Sequence, residues 1–239
     1  MSVAENIALV RNSIASAARR AGRNPDEITL MAVSKTVQPG LIREAYDSGI
    51  RQFGESRVQE FVAKAEALRD LKYADWHMVG HLQSNKAVKA VEIFSSVDSL
   101  DSVRLAERLN ISAQALGKKI SVLIEINVGG EQAKTGIRPD SPELEELLQA
   151  APSLNQLEFR GLMTIPPFTV DPQQARPYFR KLRELCDSIA TRRLPNTRMD
   201  VFSMGMSHEY EVAIEEGSTC VRIGTAIFGE RAKHLGVKR

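Results

Sequence analysis

The sequence predicts an α/β protein folded as a single (β/α)8 TIM barrel with an extra helix at its N-terminus. Three observations predict it. Eight short apolar segments alternate with segments of helical period along the 239 residues. The connections between them are short, and no internal repeat, low-complexity segment or linker divides the chain, so residues 1–239 are read as one domain. The segment from Ile120 to Val128 is dense in β-branched apolar residues, as in a strand buried on both faces. An open doubly wound sheet is the runner-up.

The first element is the extra helix. Val3, Ile7, Val10 and Ile14 recur at helical spacing, Ser2 and Glu5 form a capping box, and Gly22 closes the end. After the Asn24-Pro25 turn, the apolar run 28–33 is the first strand, and it stops just before Lys35. A helix over 39–48 carries its proline in the first turn. The second strand, 51–56, ends in Gly54-Glu55-Ser56, and the helix 58–71 places Val58, Phe61, Val62, Ala65 and Leu68 on its apolar face. The third strand, 76–80, runs into Gly80-His81-Leu82-Gln83-Ser84-Asn85-Lys86, and a short helix follows over 87–91. The fourth strand, 94–97, ends at Asp98, and the helix 102–116 closes at Gly117. The fifth strand, 120–128, precedes the loop Glu131-Gln132-Ala133-Lys134-Thr135-Gly136 and a helix capped at Ser141. The sixth, 157–164, enters Ile165-Pro166-Pro167, and Asp171-Pro172 starts a helix to about 191. The seventh strand, 200–205, a short helix over 209–216 and the eighth strand, 219–224, complete the set.

Composition narrows the function. Hydrophobic residues make up 43% and charged residues 26%, and the formal net charge of +2 comes without a basic block for nucleic acid. Aromatic residues, at 5%, are too few for a base-stacking platform. Cys186 and Cys220 have neither metal-ligand spacing nor a framework of pairs, which suits a reducing compartment, and both read as packing residues. The histidines are His77, His81, His208 and His234. His77 and His81 have the spacing of a helical zinc pair but fall on a strand, where the side chains are too far apart for one metal, so no metal site is expected. There is no apolar run of about 18 residues and no signal-peptide core, so a cytoplasmic protein with no membrane partner is expected. No long apolar stripe is left over for a large interface, which favours a monomer.

In a barrel the carboxyl ends of all strands share one face, where ligands bind. Lys35, Ser56, His81, Asp98, Asn127, Thr164, Ser203, Gly205, Ser207, Arg222, Gly224 and Thr225 fall there. A partly desolvated lysine can act as an amine nucleophile toward a carbonyl; the alternative is a solvated lysine at a strand end. The Ser203-Met204-Gly205-Met206-Ser207 and Arg222-Ile223-Gly224-Thr225 turns follow strands seven and eight, where barrels bind phosphate. Arg222 opposes its apolar neighbours by alternation and can enter the cavity. Amine, phosphate cradle and internal arginine together point to a phosphorylated carbonyl compound held as a Schiff base. A sugar phosphate and pyridoxal 5'-phosphate (PLP) both fit.

These segments, with Trp76-His77 and Arg160-Gly161-Leu162-Met163-Thr164-Ile165, resemble the PLP homeostasis proteins (the YggS/PROSC group) over nearly the whole chain. The resemblance implies a barrel of the alanine racemase N-terminal domain type. It implies that Lys35 holds PLP, that Ser203, Gly224 and Thr225 bind the phosphate with Met206 and Ser207 beside them, and that Arg222 faces the pyridine nitrogen. Ser56 stands where the family usually has asparagine, on the pocket wall, and Glu209 where aspartate is commoner. A cation beside the ring nitrogen disfavours its protonation and weakens the ring as an electron sink. The chain ends at Arg239, without length for the domain that brings a second base in alanine racemase, so one face of the cofactor is expected to be open. The expected function is a PLP carrier or regulator in vitamin B6 homeostasis without established catalytic turnover, serving PLP-dependent apoenzymes. An amino-acid racemase, with a base from His81 or Tyr210, is the alternative, and a Schiff-base aldolase is the third. Lys134 and Lys86 are second-tier candidates to receive PLP; the bland reading is a solvated loop lysine.

Overall fold

The structure, a computed structural model, describes residues 1–131 and 133–229; Gln132, His234 and the chain end at Arg239 lie outside the described residues. Eight parallel strands close into a barrel in chain order: β1 (Thr29–Val33), β2 (Gln52–Glu55), β3 (Asp75–Met78), β4 (Ser96–Leu100), β5 (Ile120–Glu125), β6 (Leu157–Met163), β7 (Thr197–Ser203) and β8 (Cys220–Ile223). β8 pairs back onto β1, with Met31 opposite Arg222 and Ala32 opposite Ile223. Helices α2 (Pro39–Asp47), α3 (Val58–Ala65), α4 (Ala87–Ile93), α5 (Val103–Ala115), α6 (Pro142–Ala150), α7 (Arg176–Thr191) and α8 (Tyr210–Glu215) follow β1 to β7 in turn. The extra helix, α1 (Val3–Arg20), starts with the expected capping box between Ser2 and Glu5. A single turn, α9 (Thr225–Phe228), follows β8 and was not anticipated as a helix.

The core lies mainly between barrel and helices, because the outward-facing side chains of the strands are apolar. Phe53, Val97, Val122, Ile124, Phe159, Val221 and Ile223 are fully buried there. Every second residue points inward, so the barrel interior instead holds Met31, Ser96, Asp98, Leu123 and Arg222. At Gly161 β6 and β7 approach so closely that a Cβ would collide with the Val201 carbonyl, next to a shift in the register of that strand pair.

Three expectations are corrected. Asp98 does not end its strand: β4 runs on to Leu100, and Asp98 sits inside the barrel on His77 and Ser96. The sequence reading stopped at the first charge, but an inward-facing strand residue tolerates charge when it is paired. On α3, Lys64 is buried and Val62 is 42% exposed. The buried face of α3 is set by Val58, Phe61 and Lys64, with Leu68 on the 3-10 turn 66–68 that follows the helix, and Lys64 has acidic partners there. β5 ends at Glu125, because Asn127 turns its side chain back onto the carbonyls of Glu131 and Lys134 and closes a loop.

Candidate functional site

Lys35 stands two residues past the end of β1 and is half-buried. On one side, the Ser34 N–H donates to the Gly54 carbonyl at 2.9 Å, which brings in the β2 exit and Ser56. On the other, a Cβ at Gly224 would lie 3.3 Å from the Val33 carbonyl, so the bare glycine lets the β8 exit pass close to the strand that carries the lysine. Lys35 therefore lies between Ser56 and the Gly224-Thr225 turn. Ser56 itself is crowded: a Cβ at Gly80 would clash with its backbone, which makes glycine necessary at the β3 exit.

Arg222 points into the barrel and is 4% exposed. Its Nη1 donates to Ser203 Oγ and its Nη2 to the Thr164 carbonyl, both at 2.7 Å. Burial pushes the guanidinium below the usual arginine range, against the pull of Cys220, Asp98, Glu209 and Glu125. It remains a cation, because an arginine starts from so high a value. The Arg222 N–H also donates to the Gly205 carbonyl at 2.9 Å, which ties β8 to the β7 exit.

Gly205 adopts φ +98°, and a Cβ there would come 2.7 Å from that of Ala213, so only glycine makes the turn into α8. Beyond it, the Met206 N–H donates to Glu209 Oε1 at 2.9 Å, and Ser207 Oγ accepts the Ala226 N–H from α9 at 3.3 Å. Ser207 and Gly224 are half-buried and Thr225 is exposed. The structure thus sorts the expected residues into two levels. Ser207, Gly224, Thr225 and Met206 form a rim at the β7 and β8 exits. Ser203, fully buried, is the anchor of Arg222 beneath it. An amine, a buried cation and a hydroxyl-bearing, glycine-containing rim are the donor set that a phosphorylated carbonyl compound requires.

Other candidates lie apart or are engaged. Tyr210 packs in the layer between α1 and the barrel, with its hydroxyl on Ser13, rather than at the mouth. His81 is on the mouth side, with Nδ1 3.0 Å from Asp101. Lys134 donates to the Pro166 carbonyl at 3.1 Å and pairs with Glu131 at 2.9 Å, so it is a tethered loop lysine. Lys86 lines a small cavity with Ser56, Met78 and His81. A separate cavity of about 330 Å3 opens at the opposite, amino-terminal end of the barrel, around Asp75, His77, Asp98, Arg160 and Asp200. Cys186 and Cys220 are buried, and burial pushes both thiols up to about 12, consistent with packing.

Sequence reasoning passed over Lys64, Glu60 and Glu125. Glu125 is 4% exposed, and burial raises its carboxyl above the ordinary range despite a hydrogen bond from Thr135.

The family model for the alanine racemase N-terminal domain matches residues 6–232. The pyridoxal phosphate homeostasis protein of Aquifex aeolicus is 46% identical over 231 residues, covering 97% of this chain and 99% of its own. PipY of Synechococcus elongatus, solved with PLP bound, superposes with a TM-score of 0.83 at 37% identity, over 95% of this chain and 100% of its own. The alanine racemase of Streptomyces coelicolor shares the barrel, with a TM-score of 0.73 at 20% identity, and this chain covers 59% of it.

Proposed function

This chain belongs to the pyridoxal phosphate homeostasis protein family, and from that premise we propose that it binds PLP at the carboxyl-terminal mouth of its barrel, holds it as a Schiff base on Lys35, and buffers or delivers it in intracellular vitamin B6 homeostasis. The observation that carries the reading is the convergence of Lys35 with the Gly224-Thr225 turn above a buried Arg222. Bound there, PLP supplies an aldehyde that condenses with a primary amine and releases water. Ser207, Gly224 and Thr225 are assigned to the phosphate, with Met206 and Ser56 against the pocket walls. Ser203 holds the arginine in place.

The reading as a carrier rather than a turnover enzyme rests on Arg222 and on what surrounds the mouth. A guanidinium near the ring nitrogen opposes its protonation, which leaves a poor electron sink. Tyr210, one of the two bases a racemase reading could use, is packed under α1. Residues 1–239 are read as one PLP-binding domain acting as a cytoplasmic monomer, with PLP-dependent apoenzymes as recipients. Among the described residues no helix is long and apolar enough to cross a membrane.

The test is the visible spectrum of wild type beside Lys35→Ala, each given PLP and desalted. The expected result is a yellow wild type that borohydride bleaches, with the pyridoxyl group on the Lys35 peptide. A wild type that stays colourless and takes up no PLP overturns the reading and leaves a sugar phosphate as the ligand class to examine.

A further inference from the structure

Both neighbours of Lys35 in the chain are tied to helix α3. The Ser34 carbonyl accepts from Lys64 Nζ at 2.9 Å, and the Ser34 hydroxyl donates to Glu55 Oε1 at 2.6 Å. The Thr36 N–H donates to Glu60 Oε1. Lys64 joins the two halves, with its Nζ 3.1 Å from Glu55 and 2.7 Å from Glu60. Lys64 is 8% exposed and Glu55 is fully buried, so this is an ionic network inside the wall between β2 and α3.

Its placement has a reason beyond stability. Burying an ion pair brings a desolvation penalty that apolar residues of the same size avoid. Here the network surrounds a turn where a β-branched residue, Thr36, adopts φ +62°. That conformation is uncommon for such a residue and persists only where the surroundings over-determine it. Glu60 accepts the N–H of the strained residue, and Lys64 donates to the carbonyl just before Lys35. Burial alone would raise the Glu60 carboxyl, but Lys64 and the Thr36 N–H hold it below the ordinary range.

We infer that Lys64 and Glu60 are positioning residues for Lys35: together they fix the left-handed turn that presents the lysine at the barrel mouth. The inference rests on the reading of Lys35 as the residue that condenses with PLP. It assigns Lys64 no contact with the ligand. Its effect is on how fast the Lys35 amine reaches its reactive geometry.

The experiment follows the rate at which PLP becomes borohydride-trappable on the Lys35 peptide, in wild type, Glu60→Ala, Glu60→Gln and Lys64→Met. Loading at saturating PLP is expected to slow about tenfold in Glu60→Ala, while the PLP concentration giving half-maximal rate changes less than about twofold, because orientation is lost and phosphate binding is not. Glu60→Gln, whose amide oxygen still accepts the Thr36 N–H, is expected to recover most of the rate. A Glu60→Ala protein that loads at the wild-type maximal rate, with or without a lower melting temperature, overturns the inference. Lys64→Met should slow loading in the same way if it folds; if it does not, Glu60→Ala decides alone. A wild type that takes no PLP on Lys35 defeats the functional reading instead. The clamp is then judged by acetylation of Lys35 with acetic anhydride in the same proteins without PLP, where equal rates in wild type and Glu60→Ala overturn it.

Discussion

Arg222 carries a testable consequence on its own. Its two Nη groups serve Ser203 and the Thr164 carbonyl, in an interior where neither acceptor has access to solvent. A lysine cannot reproduce that fork. Arg222→Lys is expected to lose about 1–3 kcal/mol of stability in urea unfolding, the range for a buried acceptor left without its donor, and Arg222→Met to lose more. An unchanged midpoint would mean that water has taken the arginine's place. Arg222 was legible in the sequence because strand alternation is strict, so a charge between Val221 and Ile223 had to face the other way. Lys64 was not legible. Helical periodicity marks a buried face by its apolar members, and a buried lysine is recognised only once Glu55 and Ser34, which come from a different element, are seen to meet it.

At the scale of elements, α1 is more than a lid on the barrel wall. Val3, Ile7, Val10, Ile14, Ala17 and Ala18 are buried, and the helix packs chiefly on α8 and α9. Asn6 Nδ2 donates to the Ile227 carbonyl at 2.8 Å, so α1 supports the turn that carries Gly224 and Thr225. Ile7→Ala is expected to destabilise the protein by about 2–5 kcal/mol through lost burial and the cavity left behind. Because Ile7 belongs to the same buried cluster as Ile227 of α9, PLP is expected to be retained less well on desalting of the folded variant than of wild type. Equal retention would show that the rim is independent of α1. The alternation of elements was legible because each apolar run is separated by turn residues, and α1 was legible down to its capping box. The extent of β4 was not. Ser96 and Asp98 face the interior, where Ser96 donates to Asp98 and Asp98 meets His77, so the apolar run that marks a strand is broken by residues that belong to it.

At the scale of the whole molecule, the barrel has two polar ends of different composition. The carboxyl-terminal mouth gathers Lys35, the rim and Arg222. The amino-terminal end holds a charge cluster in which His77 Nδ1 lies 3.1 Å from both Asp98 oxygens and Nε2 lies 3.2 Å from Asp75. Burial alone would lower the imidazole, but Asp98 and Asp75 outweigh it and raise the group to about 10. In the unfolded chain a histidine titrates near 6.5. A group whose pKa is raised on folding binds its proton more tightly in the native state. Its contribution is therefore fully present below about pH 6.5 and is lost progressively as pH rises toward about 10. Asp75 is held below its ordinary range, by the His77 hydrogen bond against burial, so it stays ionised across this window. The native thiols of Cys186 and Cys220 are pushed up to about 12, whereas unfolded thiols titrate near 8.5, and that contribution is common to wild type and variant. Wild type is accordingly expected to lose stability more steeply than His77→Gln between pH 7 and pH 10 in thermal or urea unfolding, with the two slopes converging below about pH 6. Lysine and tyrosine titrations are common to both proteins and cancel in the comparison. Parallel slopes would mean that His77 is neutral between its two carboxylates. The amino-terminal end would then be held by hydrogen bonds from Ser95 and Ser96 rather than by an imidazolium.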